Sequence, residues 1–315
     1  MLLAGVALVL VIRWGDVTSP TAVAIAGLTL FAGVPLAMAG LLAVIGRSRV
    51  LRTSWVGILA VYLVTVSPLD AVVGCGAEQA DAAVRVLTAN VLRSADDVSG
   101  VAGMVANSGA DIVILQEVSP TLWRALAADP RLDHLTYRSL DVEPVAVDPS
   151  ATLVLVMTSL EVRSSQLHGL GARGGVDLEV ALPGDGRTVT VSGVHLNAPV
   201  RDVAIGSWRD QLAALAARPV DRPGLIAGDF NATEDHRPFR TLLDAGWTDV
   251  HDPKGCGFDL TFPVDGSLPV PVMRLDHVLV TDHFEVLGVD LLDDANESDH
   301  RPVLADVRLR SASRG

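Results

Sequence analysis

Six hydrophobic runs in this chain are bounded by residues that could do chemistry. Val84–Ala89 ends at Asn90, Asp111–Gln116 at Glu117 and Val189–Val194 at His195. Leu225–Gly228 leads into Asp229-Phe230-Asn231, Arg274-Leu275 leads into Asp276-His277, and Ser298-Asp299-His300 precedes the last run. Alone, a carboxylate after a strand is commonly a turn former or a helix cap, and a lone histidine is commonly a satisfied structural residue. Six such sets at strand ends would converge on one rim of a sheet sandwich, where loop-borne sites are built. Their types suit phosphoester hydrolysis. That reaction needs charge on the non-bridging oxygens neutralised, a water activated and the leaving oxygen protonated. Carboxylate and amide oxygens are hard ligands suited to Mg2+. A histidine backed by a carboxylate carries a proton or a positive charge near neutral pH. No cysteine–histidine spacing suits zinc, and there is neither a glycine-rich phosphate loop nor a G-x-S-x-G elbow.

The elements that would position these residues follow from periodicity and turn signals. Val84–Val91 reads as a strand, Asp96–Ser108 as a helix and Asp111–Val118 as a buried strand. Leu153–Met157, Val176–Leu182 and Thr188–Leu196 read as strands, the last two joined as a hairpin at Pro183-Gly184-Asp185-Gly186. Asp202–Ala217 has helical spacing with Trp208, Leu212 and Leu215 on one side. Gly224–Gly228, Leu275–Val280, Phe284–Val289 and Pro302–Leu309 complete the strands, and Leu140–Ser150 reads as an irregular surface excursion. Few helices and several hairpins disfavour a purely parallel sheet, so two mixed sheets covered by helices are expected.

The ordered series TANV (88–91), DIVILQEV (111–118), GVHLNAP (193–199), GDFNAT (228–233), RLDHVLV (274–280) and SDHRPV (298–303) resembles the endonuclease/exonuclease/phosphatase superfamily. That superfamily includes deoxyribonuclease I-like nucleases, abasic-site endonucleases, sphingomyelinases and inositol-polyphosphate phosphatases. The resemblance covers about Val84 to Leu309, and it implies a four-layered α/β sandwich of two mixed sheets flanked by helices. It implies roles as well. Glu117 would be the principal metal ligand, helped by Asn90 and Asp299, with Mg2+ as the ion and Mn2+ as a substitute. Asp229 would orient or deprotonate the attacking water, and Asn231 would hold the scissile phosphate. His195 and His300 would bind phosphate oxygens and help proton transfer, His300 backed by Asp276. Asn197 and Thr261, the latter in Thr261-Phe262-Pro263, would touch substrate, and Thr158 or Ser159 falls loosely where relatives carry polar site residues. Two departures stand out: His277 follows the RxD aspartate where relatives often carry tyrosine, and no acidic partner for His195 is evident.

Composition divides the chain. Its 315 residues are 50% apolar and carry a net charge of −13, which excludes a disordered tail protein and a basic histone-like binder. Before Gly76 the charged residues are Arg13, Arg47, Arg49 and Arg52 with Asp16 and Asp70, leaving 20 basic and 35 acidic residues downstream. Residues 1–75 are therefore expected to be a transmembrane anchor and 76–315 the catalytic domain. The anchor would hold two to three helices at about 1–13, 21–45 and 53–70. Thr21–Ile45 is 25 uncharged residues, long enough at about 1.5 Å per residue to cross a core of about 30 Å. Thr53–Leu69 gives 17, at the short end. Met1–Ile12 competes as a signal peptide but lacks a basic n-region and a clear cleavage site. Gly46–Arg52 carries three arginines and no acid, so it should face the cytoplasm, leaving the body extracytoplasmic on a multi-pass cell-membrane protein. Cys75 and Cys256 would share the oxidising side, where a disulfide and two unpaired buried thiols are both open.

The expected partners are a lipid bilayer and a phosphoester substrate, either nucleic acid or a lipid or small phosphoester; no obligate protein partner is implied. A duplex-DNA enzyme should show a basic face, and the body has one lysine, Lys254. The alternatives to a nuclease-like phosphodiesterase are a lipid-headgroup or inositol-phosphate hydrolase and an inactive membrane-tethered binding module.

Overall fold

The computed structural model describes residues 1–46, 48–66, 84–92, 97–139, 153–168, 175–182, 186–252, 259–293 and 297–310. Cys75, Cys256, Lys254 and the 140–150 excursion lie outside the described residues. An N-terminal group of helices comes first: α1 (Leu2–Trp14), α2 (Pro20–Gly27), α3 (Gly33–Ile45) and α4 (Arg49–Val66). The body follows with β1 (Val84–Asn90), α5 (Val98–Ser108), β2 (Ile112–Val118), α6 (Pro120–Ala127), β3 (Tyr137–Arg138), β4 (Leu153–Thr158), β5 (Glu161–His168) and β6 (Gly175–Ala181). Then come β7 (Thr188–His195), α7 (Asp202–Ala216), β8 (Gly224–Asp229), α8 (Arg237–Asp244), β9 (Thr248–Asp249), β10 (Asp276–Val280), β11 (Phe284–Leu291) and β12 (Val303–Leu309).

The strands form two six-stranded mixed sheets, ordered β11-β12-β1-β2-β4-β3 and β5-β6-β7-β8-β10-β9. Alternation along each strand sends one set of side chains between the sheets and the other under a helical layer. Val86, Ile114, Val156, Val191, Ala227, Val278 and Val303 fill the inter-sheet core. Leu87, Val113, Leu115 and Leu155 lie under α5 and α6, and Val194, Ile226 and Leu279 lie against Trp208, Leu212 and Phe239 of α7 and α8. The expected four-layered body is therefore present. Gly193 lets the sheets approach, since a Cβ there would sit 2.7 Å from a Val156 methyl. The expected hairpin closes as an antiparallel ladder from Gly175↔Val194 to Ala181↔Thr188.

The head departs from the expected spans. Thr21–Ile45 is not one helix: it breaks after Gly27, and α2 makes a 66° bend with the segment Thr29–Ile45. No single helix among the described residues is long and apolar enough to cross a membrane, though this bent pair meets that test together. The third segment begins at Arg49, earlier than expected, and its described part ends at Val66. Nor is the head simply strung before the body. Val17, Val23 and Ala26 are buried in the same core as Trp208, Phe230 and Phe239.

Candidate active site

Strand register builds the site. In the second sheet His195 pairs with Asp229 across the parallel β7–β8 ladder, and Asp276 pairs with Asp229 across the antiparallel β8–β10 ladder. Three strand ends thus set His195, Asp229 and Asp276 side by side. In the first sheet Asn90 closes β1 opposite Gln116, one residue before Glu117. Facing of the sheets joins the two rows: Asn90 Nδ2 donates to Asp229 Oδ2 at 3.0 Å. Ser298 Oγ donates to the Asn90 carbonyl at 2.6 Å, which brings the His300 loop alongside. Gly228 is obligatory before Asp229. Its φ is +150°, and a Cβ would fall 1.9 Å from the Val194 carbonyl oxygen.

Side chains from distant segments meet here. His195 Nε2 lies 3.5 Å from Asp229 Oδ2 and 3.8 Å from Glu117 Oε1, so this histidine sits between two acids that the sequence did not pair with it. His300 Nδ1 contacts Asp276 Oδ2 at 2.7 Å, and its Nε2 lies 4.0 Å from Asp229 and 3.9 Å from Asp299. Phe262 packs on the His300 ring at 4.9 Å between centroids. Asp229 is 1% exposed. Burial raises its carboxyl, Asp276 adds to the rise, and His300 and His195 oppose it. Burial pulls the His300 imidazolium down, but the charges of Asp276 and Asp229 win and push it up to about 10. The four non-glycine residues with positive φ among those described, Leu92, Glu117, Asn231 and Glu297, all flank this rim. Such conformations cost of order 1 kcal/mol each and cluster where function over-determines the backbone.

Some expected members are not brought into the group. Thr261 is fully buried, and its Oγ1 accepts from the Leu275 and Asp276 amides at 3.0 and 3.4 Å. It is a strut for Asp276 rather than a substrate contact. Asn197 turns its amide to Ser207 of α7, and its backbone N–H donates to Gln211. Asn231 donates Nδ2 to the Leu196 carbonyl at 3.0 Å, tying the β7 and β8 loops together. Thr158 lies at the opposite end of its sheet, beside Ile112, with its hydroxyl on the Asp111 carbonyl. His277 acquires a definite place. Its Nδ1 contacts Asp249 Oδ2 at 2.6 Å and its Nε2 contacts the Ala232 carbonyl at 2.9 Å, so it props the loop after Asp229 from behind. Asp249, shared with His251 at 2.8 Å, carried no sequence signal because it lies in a two-residue strand.

Among the described residues, Asp229, Asp276 and His300 form a group whose ligand atoms lie within 4.8 Å of one another. A hard cation prefers oxygen donors. Further oxygen donors around this group come from Asn90, which bonds Asp229, from Asp299, 3.9 Å from His300, and from Glu117, 3.8 Å from His195. Burial raises the Asp299 carboxyl, and the charges of Asp265 and Glu117 add to the rise, a repulsion that a divalent cation would relieve. These residues fit such an ion.

Two packed mixed sheets with an acid–imidazole–amide rim define a class, the metal-dependent phosphoester hydrolases. The chain belongs to the Endonuclease/Exonuclease/phosphatase family, whose sequence model matches residues 87–300. Solved structures share the fold. An endonuclease/exonuclease/phosphatase from Beutenbergia cavernae is 20% identical with a TM-score of 0.57, over 74% of this chain and 73% of that one. One from Bacteroides vulgatus is 18% identical with a TM-score of 0.57, over 72% and 99%. D. rerio TDP2 complexed with single-strand DNA product is 17% identical with a TM-score of 0.53, over 72% and 100%. None of the curated proteins matches the chain.

Proposed function

We propose that this chain is a nuclease-like hydrolase of phosphodiester or phosphomonoester bonds that uses Mg2+, with Mn2+ as a substitute. The observation that carries the reading is the His195–Asp229–Asp276–His300 row facing Glu117 across the mouth of the sandwich. Glu117, Asn90 and Asp299 would hold the cation, which when bound supplies Lewis-acid polarisation of a phosphoryl oxygen. Asp229, made more basic by burial and fixed by Asn90, accepts a proton from the attacking water. His300, kept cationic by Asp276, offsets charge building on the non-bridging oxygens. His195, between Glu117 and Asp229, holds a phosphate oxygen and passes a proton toward the leaving oxygen. The test is hydrolysis of bis-p-nitrophenyl phosphate by the full chain in detergent. Glu117→Gln should lower kcat by about 10²-fold or more without unfolding the protein, in line with loss of one hard anionic ligand. Full activity in that variant, or wild-type activity that survives EDTA, refutes the assignment.

The TDP2 complex with DNA product supports nucleic acid as the substrate class. A second reading, a lipid-headgroup or inositol-phosphate ester, is favoured by the exposed apolar residues of the body. Leu268 and Val270 lie in the loop after Phe262, Val200 in the loop after His195 and Val203 in the first turn of α7, so both segments flank the site.

Residues 1–75 are proposed as a membrane anchor with the body from 76 onward extracytoplasmic. Supporting this, Leu8, Val11, Val34, Met38, Leu41 and Val61 are exposed on the helical head, an outer surface that water would not favour. α1 ends at Trp14 against Arg240 of the body, α3 carries the chain about 20 Å back at 1.5 Å per residue, and α4 returns with Tyr62 donating to the Leu30 carbonyl at 2.7 Å. Arg49 and Arg52 therefore lie at the end of the bundle remote from the body, as the positive-inside rule requires. A reporter fused after Gly315 should be accessible from outside intact cells, and reversing Arg47, Arg49 and Arg52 should disturb that. Full protection of the body from external protease would reverse the assignment.

A further inference from the structure

The loop from Asp229 to His236 has chemistry at one end and the N-terminal head at the other. At its start Asp229 Oδ1 accepts from the Asn231 amide at 2.8 Å, and the left-handed Asn231 anchors to Leu196. At its end Asp235 and His236 reach the head. Arg13 Nε donates to Asp235 Oδ1 at 2.6 Å, and Arg13 is only 4% exposed. Arg240 completes the joint, donating to the Arg13 carbonyl at 2.6 Å and to the Glu234 carbonyl at 2.7 Å. His236 Nδ1 accepts the Thr233 amide at 2.8 Å, which assigns the proton to Nε2, and Nε2 then donates to the Val23 carbonyl of α2 at 2.9 Å. Burial holds His236 down at about 4, so it keeps this neutral tautomer at physiological pH.

A tether needs none of this. Apolar packing of Val17, Val23 and Ala26 alone would hold the head on the body, whereas a buried guanidinium–carboxylate pair pays desolvation for directional geometry. Between its two ends the body itself holds the loop. Phe230 is buried against Phe239, and Trp208 Nε1 donates to the Phe230 carbonyl at 3.2 Å. The Phe230 amide donates to the Leu275 carbonyl at 2.9 Å and the Ala232 carbonyl meets His277, so it is the far end of the loop that the head fixes. We infer that the N-terminal helices are a positioning part of the active site: Arg13 on Asp235 and the Val23 carbonyl on His236 clamp the loop that carries Asp229 and Asn231. Arg13 and His236 act through that loop and touch no substrate. The inference rests on the reading that Asp229 serves phosphoester hydrolysis.

The test compares full-length Arg13→Met, Asp235→Asn and the double variant in detergent micelles. Each single variant strands a buried charge, so both Tm and kcat should fall. The double variant strands none, so Tm should recover toward wild type while kcat stays down by about 10- to 100-fold and KM changes less than about twofold, as expected for misplaced catalytic groups. Hydrogen–deuterium exchange of the 229–236 segment should rise in the double variant whatever the activity. A double variant with wild-type kcat, or with unchanged exchange in that segment, overturns the clamp. A wild-type chain with no Glu117-dependent hydrolysis would overturn the proposed function instead, and the exchange measurement would still decide the clamp.

Discussion

Asp229→Asn should reduce kcat by about 10³-fold or more in a protein that remains folded. Asparagine has the shape of aspartate, and its side-chain oxygen can still accept the Asn231 amide that fixes the loop. What disappears is the anion. Without it no group at the centre of the row takes a proton from water, and general-base contributions are typically 10²–10⁴-fold. The same charge also helps hold His300 protonated, so one change weakens two members of the row. Stability should change far less. Burial opposes the Asp229 charge more than any neighbour supports it, so neutralising the group relieves a desolvation penalty that offsets the lost acceptor for Asn90 Nδ2, and Tm should stay near wild type. Steady-state kinetics with calorimetry on the same samples separates the two effects. A kcat within tenfold of wild type would remove Asp229 from the reaction, and a collapse of Tm would make it a structural residue.

Which parts of this site were legible in the sequence follows from how each residue is held. Asn90, Glu117, His195, Asp229, Asp276 and His300 each close or precede an apolar run, and that local signal survives without any knowledge of pairing. Their mutual arrangement depends on register. That His195, Asp229 and Asp276 share one row is decided by ladders between strands 30 to 50 residues apart, which no local pattern encodes. Strand β5 was missed for a different reason: Glu161–His168 runs along a sheet edge with mostly polar side chains, so its alternation is weak. Helix α8 has eight residues, and only Phe239 and Leu242 are buried, too few to show a period. Apolar content exposed the head, but its docking did not show. Arg13 to Asp235 and Val23 to His236 span more than 200 residues and depend on one arginine among two dozen basic residues.

Asp276→Asn should cut activity by about 10²-fold at neutral pH and make the loss steeper as pH rises. His300 is buried, and burial by itself disfavours its charged form. The Asp276 carboxylate, at 2.7 Å from Nδ1, is the largest influence opposing that, with Asp229 behind it, and together they push the imidazolium up to about 10. In the wild type His300 therefore stays cationic through the whole neutral range. The asparagine variant keeps a hydrogen-bond acceptor but loses the charge, so burial regains the upper hand and the histidine becomes neutral near physiological pH. The sign follows from linkage. A histidine whose folded value lies above its unfolded value of about 6.5 contributes stability that is complete below that pH and is lost as pH rises through about 10. The variant should thus lose a stabilising contribution that the wild type retains at pH 7 and relinquishes only in alkali, and the stability difference between the two should shrink toward pH 10. Imidazole 15N resonances of His300 in metal-free protein report its titration directly. A midpoint well above 7 that survives the substitution would show that Asp276 does not hold the proton, and the alkaline limb of activity would then have another origin.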